Sequence, residues 1–165
     1  MNVILRPATE ADLPEILDIV NHAILHTTAN YDYEPHSLEV QTDWYRDKIS
    51  HGFPVLVAEF ENKAVGFATY GTFRQKFGYR FTVEHSVYVT DKLTGKGIGR
   101  QLLTALIELA KKEKYHTMIG VIDKANADSI AFHQQFGFTE SGVIKDVAFK
   151  FDKWLDVSIM QLILD

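Results

Sequence analysis

A glycine-rich turn with two basic residues carries the clearest chemical signal in the chain. It lies between a predicted strand and a predicted helix and reads Gly95, Lys96, Gly97, Ile98, Gly99 and Arg100. Glycines allow a tight turn whose backbone N–H groups converge on an anion, and the N-terminus of the following helix adds a partial positive charge. The segment therefore predicts a phosphate-binding turn. A flexible surface turn with many glycines is the alternative.

Two common phosphate-binding motifs do not fit this turn. A P-loop requires Gly-Lys-Ser or Gly-Lys-Thr, and the chain contains neither. The dinucleotide-binding fingerprint needs a glycine at the position of Arg100, and it belongs in the first strand–helix unit of a domain. This turn follows several predicted strands, so we expect it to bind phosphate in a different fold.

An acidic residue interrupts an otherwise apolar or hydroxylic predicted strand just before this turn. Glu84 stands shortly before Val87, Tyr88 and Val89. Burial in such a strand raises the pKa of a carboxyl group toward the range in which a general base works. Glu84 is therefore a candidate base, and a structural carboxylate that binds the backbone or Arg80 is the alternative.

The segment 72–80 is rich in aromatic and basic side chains. Six of its nine residues are of these types: Phe73, Arg74, Lys76, Phe77, Tyr79 and Arg80. Arginine presents a planar fork that matches a carboxylate, so Arg74 and Arg80 are candidate ligands for an acidic small molecule. A solvated hairpin tip would have a similar composition.

The elements that must position these residues follow from the hydrophobic pattern. Apolar residues at helical spacing predict helices over 13–24, 38–49, 102–110 and 126–135. Apolar runs bounded by turn residues predict strands over 3–5, 55–58, 64–70, 81–89, 117–122, 143–149 and 155–164. The order β-α-α-β-β-β-α-β-α-β-β predicts one mixed α/β domain over residues 1–165.

Composition excludes several functional classes. The 165 residues are 46% hydrophobic, carry a net charge of −5 and include no cysteine, which excludes a disulfide framework, a thiolate zinc site and a cysteine nucleophile. The acidic balance argues against nucleic-acid binding. His22 and His26 have a metal-ligand spacing but no suggestive third ligand, so we predict no metal. No run approaches the ~18 apolar residues of a membrane helix, and residues 1–6 do not form a signal-peptide pattern. We expect a soluble cytoplasmic protein.

The strand, spacer and glycine turn resemble the acetyl-coenzyme A loop of the GNAT N-acetyltransferases. Residues 126–138, Asn-Ala-Asp-Ser-Ile-Ala-Phe-His-Gln-Gln-Phe-Gly-Phe, resemble the second coenzyme-contacting helix of that family. The resemblance implies a single-domain GNAT fold, with a mixed twisted sheet flanked by helices, and acetyl-CoA as co-substrate. It implies that the turn at 95–100 holds the pyrophosphate and that the backbone of Val87, Tyr88 and Val89 pairs with pantetheine. Asn126 would bond the pantetheine amide or only cap its helix.

Four segments resemble one branch of the family more closely. Residues 21–23, 26–29, 82–89 and 150–156 are similar to the phosphinothricin and methionine sulfoximine or methionine sulfone N-acetyltransferases. This branch implies acetyl transfer to the α-amine of such an amino acid by direct attack in a ternary complex, with Glu84 as base. The branch is commonly dimeric, which implies a homodimer with the pocket near the subunit boundary.

The branch also implies individual site residues. Substrate contacts would come from Arg74, Gln75, Lys76, Arg80, Glu84, His85 and Ser86. His133 stands where many members carry a tyrosine thought to protonate the leaving thiolate, so it could act as that acid, contact the coenzyme or only pack. Thr94 departs from the usual Arg or Gln at the start of the turn, which implies a weaker pyrophosphate contact.

Two other functions are compatible with the sequence. The first is acetylation of a different amine, namely a polyamine, an aminoglycoside, or a protein lysine or N-terminus. The basic residues of 72–80 argue against the cationic small substrates. The second is a non-catalytic acyl-CoA-binding sensor, which would bind acetyl-CoA without turnover.

Overall fold

Seven strands and four helices follow one another in the predicted order in a computed structural model that describes all 165 residues. The strands are β1 (Ile4–Pro7), β2 (Val55–Phe60), β3 (Lys63–Thr72), β4 (Thr82–Val89), β5 (Thr117–Asp123), β6 (Thr139–Lys150) and β7 (Lys153–Ile163). The helices are α1 (Leu13–His26), α2 (Leu38–Ser50), α3 (Ile98–Lys112) and α4 (Ala127–Gln134). β6 begins four residues before its predicted start, because its first residues pair with β7 through irregular register shifts.

All seven strands form one mixed sheet in the order β1-β2-β3-β4-β5-β7-β6. β4 and β5 pair in parallel, and every other neighbouring pair is antiparallel. The parallel pairing extends only from Thr82 opposite Thr117 to Glu84 opposite Ile119. β5 continues beside β7 to Asp123, while β4 continues beside β3 to Val89. The two central strands therefore diverge immediately after Glu84.

Helices cover both faces of this sheet, so the molecule has two apolar cores. One face buries α1 against β2 and β3, with Ile16, Val57 and Phe67 almost fully inaccessible. The other face buries α3 against the central strands, with Leu102 and Met118 fully inaccessible. β2 serves both cores because its side chains alternate between the two faces. The two covered faces fix the positions of the strand ends that form the cleft.

The α-helices follow local sequence signals. Pro14 lies in the first turn of α1, where a missing N–H costs nothing, so the proline is compatible with this helix start. Ser37 caps α2 by accepting a hydrogen bond from the Val40 N–H. Gly137 adopts a positive φ of 92° after α4, as a helix-stopping glycine does. None of the helices combines the length and the apolar character that crossing a membrane would require.

Candidate active site

A cleft of about 400 Å³ opens where β4 and β5 diverge. Its walls come from β4, β5, the start of α3, α4 and the loop after α1. The lining residues are Thr28, Ala29, Tyr31, Glu84, His85, Ser86, Val87, Tyr88, Val89, Gly99, Val121, Ile122, Asp123, Asn126, Ser129, Phe132 and His133. Glu84 lines the cleft together with seven other site residues that the sequence predicted on β4 and at α4: His85, Ser86, Val87, Tyr88, Val89, Asn126 and His133.

The β4 side of the cleft is an open strand edge. Beyond Glu84 the β4 backbone pairs with β3 on one side and has no strand partner on the side that faces β5. Val87, Tyr88 and Val89 lie in this stretch and line the cleft. An extended ligand with amide groups can add to such an edge as a further strand would.

The glycine turn lies beside this edge. Gly95 and Gly97 have φ values of 76° and 79°, a left-handed backbone that favours glycine, and Gly97 is the residue that precedes α3. No side chain caps the α3 N-terminus, so its first backbone N–H groups are available to an anion. Ile98, which follows Gly97, is buried in the core, so its side chain does not contribute to this surface.

The charged residues of the turn point in different directions. Lys96 is exposed. The Arg100 guanidinium donates a hydrogen bond to the Gln135 side-chain oxygen and lies near the Phe136 ring, so it ties α3 to the end of α4. Thr94, the departure from the family pattern, donates its hydroxyl hydrogen to the Asp91 carbonyl oxygen at 3.1 Å. The cradle that the turn offers is thus mostly backbone.

Asn126 begins α4 and faces the cleft. Its side-chain oxygen accepts a hydrogen bond from the Ser129 N–H at 3.0 Å, which satisfies one of the free donors of the helix start. The cap uses the oxygen and leaves the amide NH₂ available for a ligand. Asn126 is therefore placed for both of the roles considered from sequence.

His85 and His133 form a buried pair in the floor of the cleft. Their Nε2 atoms are 3.1 Å apart, and both side chains pack on Phe138. Gly120 makes room for the pair, because a Cβ at that position would lie 3.2 Å from His85 Cε1. Burial lowers the pKa of His85 to about 4, with the His133 ring as the second cause, and burial also lowers the pKa of His133. Both rings are therefore neutral at neutral pH.

The hydrogen bonds of the pair determine where its protons lie. His133 Nδ1 is 2.7 Å from the Ser129 carbonyl oxygen, which can only accept, so Nδ1 carries the hydrogen. With both rings neutral, His85 Nε2–H then donates to the bare His133 Nε2. His85 Nδ1 remains buried without a partner. Both nitrogens of His133 are occupied in this arrangement, which favours a contact and positioning role over direct proton donation.

Glu84 stands at the point where the strands separate, and its side chain remains in contact with solvent. Desolvation raises its pKa above the ordinary value, and the positive charge of Lys48 partly offsets that rise. Lys48 reaches over from α2 and donates to the Tyr70 carbonyl oxygen at 3.1 Å. A Cβ on Gly71, which pairs with Glu84 across β3 and β4, would lie 2.6 Å from Lys48 Nζ. Glycine at this position therefore admits an ammonium group beside the carboxylate.

The loop between β3 and β4 holds the other predicted substrate residues. Arg74, Gln75, Lys76 and Arg80 are all exposed, and none of them lines the cleft. The Arg80 guanidinium lies 4.3 Å from the Phe77 and Phe81 ring centroids, and Arg74 lies over Phe73. The structure thus brings Glu84, His85 and Ser86 together at the cleft and leaves these four residues on the adjoining loop.

Sequence reasoning missed the wall opposite β4. Thr28, Ala29 and Tyr31 line the cleft from the loop after α1, and the Thr28 hydroxyl donates to buried Asp123 at 2.5 Å. The Tyr88 hydroxyl donates to the Ala29 carbonyl oxygen at 3.0 Å. These contacts join residues 59 to 95 positions apart, so no local pattern announces them.

Comparison with known proteins fits this architecture. The profile of the acetyltransferase (GNAT) family matches residues 18–138. A relative from Pseudomonas aeruginosa, the L-methionine sulfoximine/L-methionine sulfone acetyltransferase, is 45% identical over 166 residues that cover 100% of this chain and 96% of its own length.

Two solved structures have the same fold. A ribosomal-protein-alanine N-acetyltransferase from Brucella melitensis is 47% identical with a TM-score of 0.96, covering 98% of this chain and 99% of its own. A phosphinothricin acetyltransferase from Sinorhizobium meliloti, solved in complex with acetyl-CoA, is 36% identical with a TM-score of 0.95, covering 99% and 89%. The predicted fold and the predicted type of enzyme are confirmed, and the chain belongs to the acetyltransferase (GNAT) family.

Proposed function

We propose that the chain transfers the acetyl group of acetyl-CoA to the α-amine of a small amino acid. The candidate substrates are methionine sulfoximine, methionine sulfone and phosphinothricin. The divergence of β4 and β5 directly after Glu84 carries this proposal, because it places a carboxylate at the inner end of an open strand edge. The names of the relatives at 45% and 36% identity support this substrate class.

The coenzyme would occupy the side of the cleft formed by β4, α3 and α4. Its pantetheine arm would pair with the open backbone of Val87 to Val89, and the Asn126 amide is placed to bind it as well. Its pyrophosphate would lie on the backbone N–H groups of residues 95–100, with Lys96 nearby. The GNAT structures solved with acetyl-CoA support acetyl-CoA as the co-substrate of the fold.

The proposed reaction is a direct acyl transfer. An amino acid arrives as an ammonium ion, which has no lone pair, so a base must first take one proton. Glu84 would accept that proton, either directly or through a water molecule. The free amine attacks the thioester carbonyl carbon, the new C–N bond forms, and the C–S bond breaks to release coenzyme A thiolate. The thiolate takes up the second proton, which the nitrogen loses as it becomes an amide. Without cysteine, a thiol acyl-enzyme cannot form.

The neutral His85–His133 pair would form the floor beneath the reacting atoms. Because His133 Nδ1 is held by the Ser129 carbonyl and Nε2 by His85, the ring is fixed in one orientation. We propose that His133 contacts the coenzyme near the thioester. Protonation of the thiolate by His133 would require its contact with His85 to open.

The substrate carboxylate would be bound from the β3–β4 loop. Arg74 and Arg80 offer guanidinium groups, and Gln75 and Lys76 stand on the same loop, next to the strand that carries Glu84, His85 and Ser86. The exposure of Arg74 and Arg80 means that the loop must adjust on binding. The guanidinium groups of Arg74 and Arg80 can bind a carboxylate and have no acidic partner within the chain, which supports an acidic rather than a cationic substrate.

A coenzyme A release assay tests the proposed function. Methionine sulfone, methionine sulfoximine, phosphinothricin, spermidine, a lysine peptide and a peptide with N-terminal alanine are offered separately with acetyl-CoA. Because the chain has no cysteine, a thiol reagent detects only the released coenzyme. We expect rapid release with at least one of the first three amines.

Two results would overturn the proposal. Release confined to spermidine or to a peptide would assign a different amine and remove the proposed role of Arg74 and Arg80. Bound acetyl-CoA with no release from any of the six would favour a non-catalytic sensor.

We further propose that two copies associate through the β6–β7 end of the sheet. β6 is an edge strand of 12 residues and is exposed along nearly its whole length. Seven large apolar side chains are exposed on this hairpin: Val143, Ile144, Val147, Phe149, Phe151, Trp154 and Ile163. An edge strand with exposed apolar residues is unfavourable in a monomer, and the same strand of a second copy provides a self-complementary cover.

Light scattering tests this association. We expect the wild-type chain to have twice its 18.8 kDa mass and the Val147→Lys/Ile144→Lys variant to be monomeric, because charges cannot be buried in an apolar contact. Leu38→Lys, at an exposed apolar position on α2, serves as the control and should not change the mass. A wild-type monomer at high protein concentration would contradict the proposal.

A further inference from the structure

A buried lysine at the tip of the β6–β7 hairpin binds the loop that lines the cleft. Lys150 is 3% exposed. Its Nζ donates to the carbonyl oxygens of Ile24, Thr27 and Asn30 at 2.6, 2.8 and 2.6 Å. An ammonium group has three hydrogens, so these three acceptors satisfy it completely. None of the acceptors is an acid, and the lysine therefore binds main chain rather than an ion-pair partner.

The acceptors mark the point where α1 becomes a loop. Ile24 lies in the last turn of α1, where carbonyl oxygens have no partner within the helix and where a positive charge is favourable. Thr27 and Asn30 lie in the loop that follows. Lys150 thus caps a helix from a residue 126 positions away and fixes the direction in which the chain leaves it.

The same loop is bound from three further directions. Thr28 donates to Asp123 on β5, Tyr88 on β4 donates to the Ala29 carbonyl, and the Tyr33 hydroxyl donates to the Phe149 carbonyl oxygen on β6. Between these attachments, Thr28, Ala29 and Tyr31 face the cleft opposite Glu84. The position of that wall is therefore set by contacts outside the loop itself.

We infer that Lys150 is a positioning residue for the amino-acid side of the cleft. Its ammonium holds the segment 27–31 at the distance from β4 that the substrate requires. Lysine suits this position because its three N–H groups diverge from a single nitrogen toward three separate carbonyl oxygens, whereas a guanidinium fixes its donors in one plane. The inference rests on the proposed function to the extent that the substrate side of the cleft binds the amino acid.

The Lys150→Met variant tests this inference. Methionine keeps most of the apolar stem and removes the charge and the three donors, which leaves buried carbonyl oxygens unpaired. We expect the KM for the amino acid to rise roughly tenfold or more, because a wall displaced by even an ångström weakens binding and alignment. The Kd of acetyl-CoA should change less than about threefold, since the coenzyme surfaces are anchored elsewhere.

Hydrogen exchange gives a readout that does not depend on the substrate. We expect the amides of residues 27–33 to exchange faster in Lys150→Met, while those of α3 and β5 keep their wild-type rates. Lys153→Met is the matched control, because Lys153 pairs with Lys150 across the hairpin but is exposed. Tyr33→Phe removes a separate attachment of the same loop and should cause a smaller change in the same direction.

The outcomes separate this inference from the proposed function. Unchanged exchange of residues 27–33 and an unchanged KM in a folded Lys150→Met variant would overturn the inference and leave only a structural lysine. If the wild-type chain acetylates none of the three amino acids, the proposed function fails, and the exchange experiment still decides whether Lys150 holds the loop. If Lys150→Met does not fold, Tyr33→Phe carries the KM and exchange tests, and wild-type values for both overturn the inference.

Discussion

The two sides of the cleft are built in different ways. The side proposed for the coenzyme comes from three short segments, each made of consecutive residues: the edge of β4, the turn at 95–100 and the start of α4. Its binding groups are mainly backbone groups that a turn or a helix start leaves free. The substrate side joins α2, β4, β5, β6 and the loop after α1, and its geometry depends on side-chain contacts between distant segments. If the proposed function holds, local structure binds the coenzyme, which all members of the family share, and tertiary contacts bind the amino acid, which varies.

This difference has a physical basis. A pyrophosphate needs several N–H groups at one point, and a glycine turn before a helix provides them within six residues. Recognition of one amino acid needs side chains at defined separations, which only packing can set. Substitutions in the two regions should therefore affect different kinetic constants.

The largest effect is expected at Glu84, where both sides meet. Glu84→Gln keeps the shape and removes the proposed base, so we expect kcat to fall by about 10²–10⁴ while acetyl-CoA binding stays the same. Steady-state kinetics at saturating substrate and a coenzyme titration measure the two quantities. Glu108→Gln, at an exposed position on α3, is the control. A change in kcat of less than about threefold would assign the base elsewhere.

Protonation of the buried His85–His133 pair should destabilise the fold. The variant His85→Gln tests this through the pH dependence of the unfolding free energy. The pKa of His85 is lowered from 6.5 to about 4, so the unfolded chain binds more protons between these values. The stabilising contribution is therefore complete above about pH 6.5 and is lost as the pH falls toward 4. We expect the wild-type chain to lose about 1–2 kcal/mol of unfolding free energy from this source near pH 5, and His85→Gln to lose less.

Urea unfolding at about pH 7 and pH 5 measures this difference. His51→Gln replaces an exposed histidine and should leave the wild-type pH dependence in place. Equal pH dependence in wild type and His85→Gln would show that the pair is not buried in its neutral form.

Gly97→Ala should affect the coenzyme side alone. Alanine resists the left-handed backbone with φ of 79°, and the strain shifts the N–H groups that face the pyrophosphate. We expect the KM for acetyl-CoA to rise roughly fivefold to tenfold with little change in the KM for the amino acid. Gly52→Ala is a matched control, because Gly52 has φ of 74° and lies outside the cleft. Equal effects of the two variants would contradict a binding role for the turn.

The smallest effect is expected at Lys48. Its charge lowers the raised pKa of Glu84, so Lys48→Met should move the acidic limb of kcat/KM to higher pH. As the proposed base, Glu84 would work when deprotonated, and activity should therefore fall severalfold near about pH 6 and little near pH 8. The other charged or titratable groups in this arrangement are Asp47 beside Lys48 and Tyr88 on β4. Lys111→Met is the control. If Lys48→Met leaves the acidic limb of kcat/KM at the same pH, Lys48 does not tune the pKa of the proposed base.

For the same reason, the sequence predicted the local structure of the proposed coenzyme side better than that of the proposed substrate side. The strand, the glycine turn and the amphipathic α3 are local patterns, and the order of all eleven elements followed from periodicity and turn residues. The effect of the Lys48 charge on Glu84 was not predictable, because the two residues belong to different elements. The contact of His85 with His133 was not predictable either, although the glycine at position 120 in β5 leaves the space that the two rings need.

The basic loop at 72–80 shows that composition alone does not predict the positions of side chains. A cluster of aromatic and basic side chains predicted substrate contacts, and the structure leaves Arg74 and Arg80 exposed beside the cleft. Composition specifies which groups a loop offers but not where its side chains point. Lys150 illustrates the opposite case, since an ordinary lysine in a strand proved to be almost fully buried.

The short contact between β4 and β5 also means that the fewest residue pairs join the strands at the centre of the sheet. Three residue pairs join these strands, whereas seven join β3 with β4 and seven join β5 with β7. Local opening occurs where the fewest contacts hold a fold together. The free protein should therefore open transiently between β4 and β5, which separates the two halves of the sheet. A coenzyme arm bound in the gap would bridge them and stabilise the whole fold by RT ln(1 + c/Kd), where c is the concentration of free acetyl-CoA. The cell's supply of acetyl-CoA would then govern the lifetime of this protein as well as its rate of turnover.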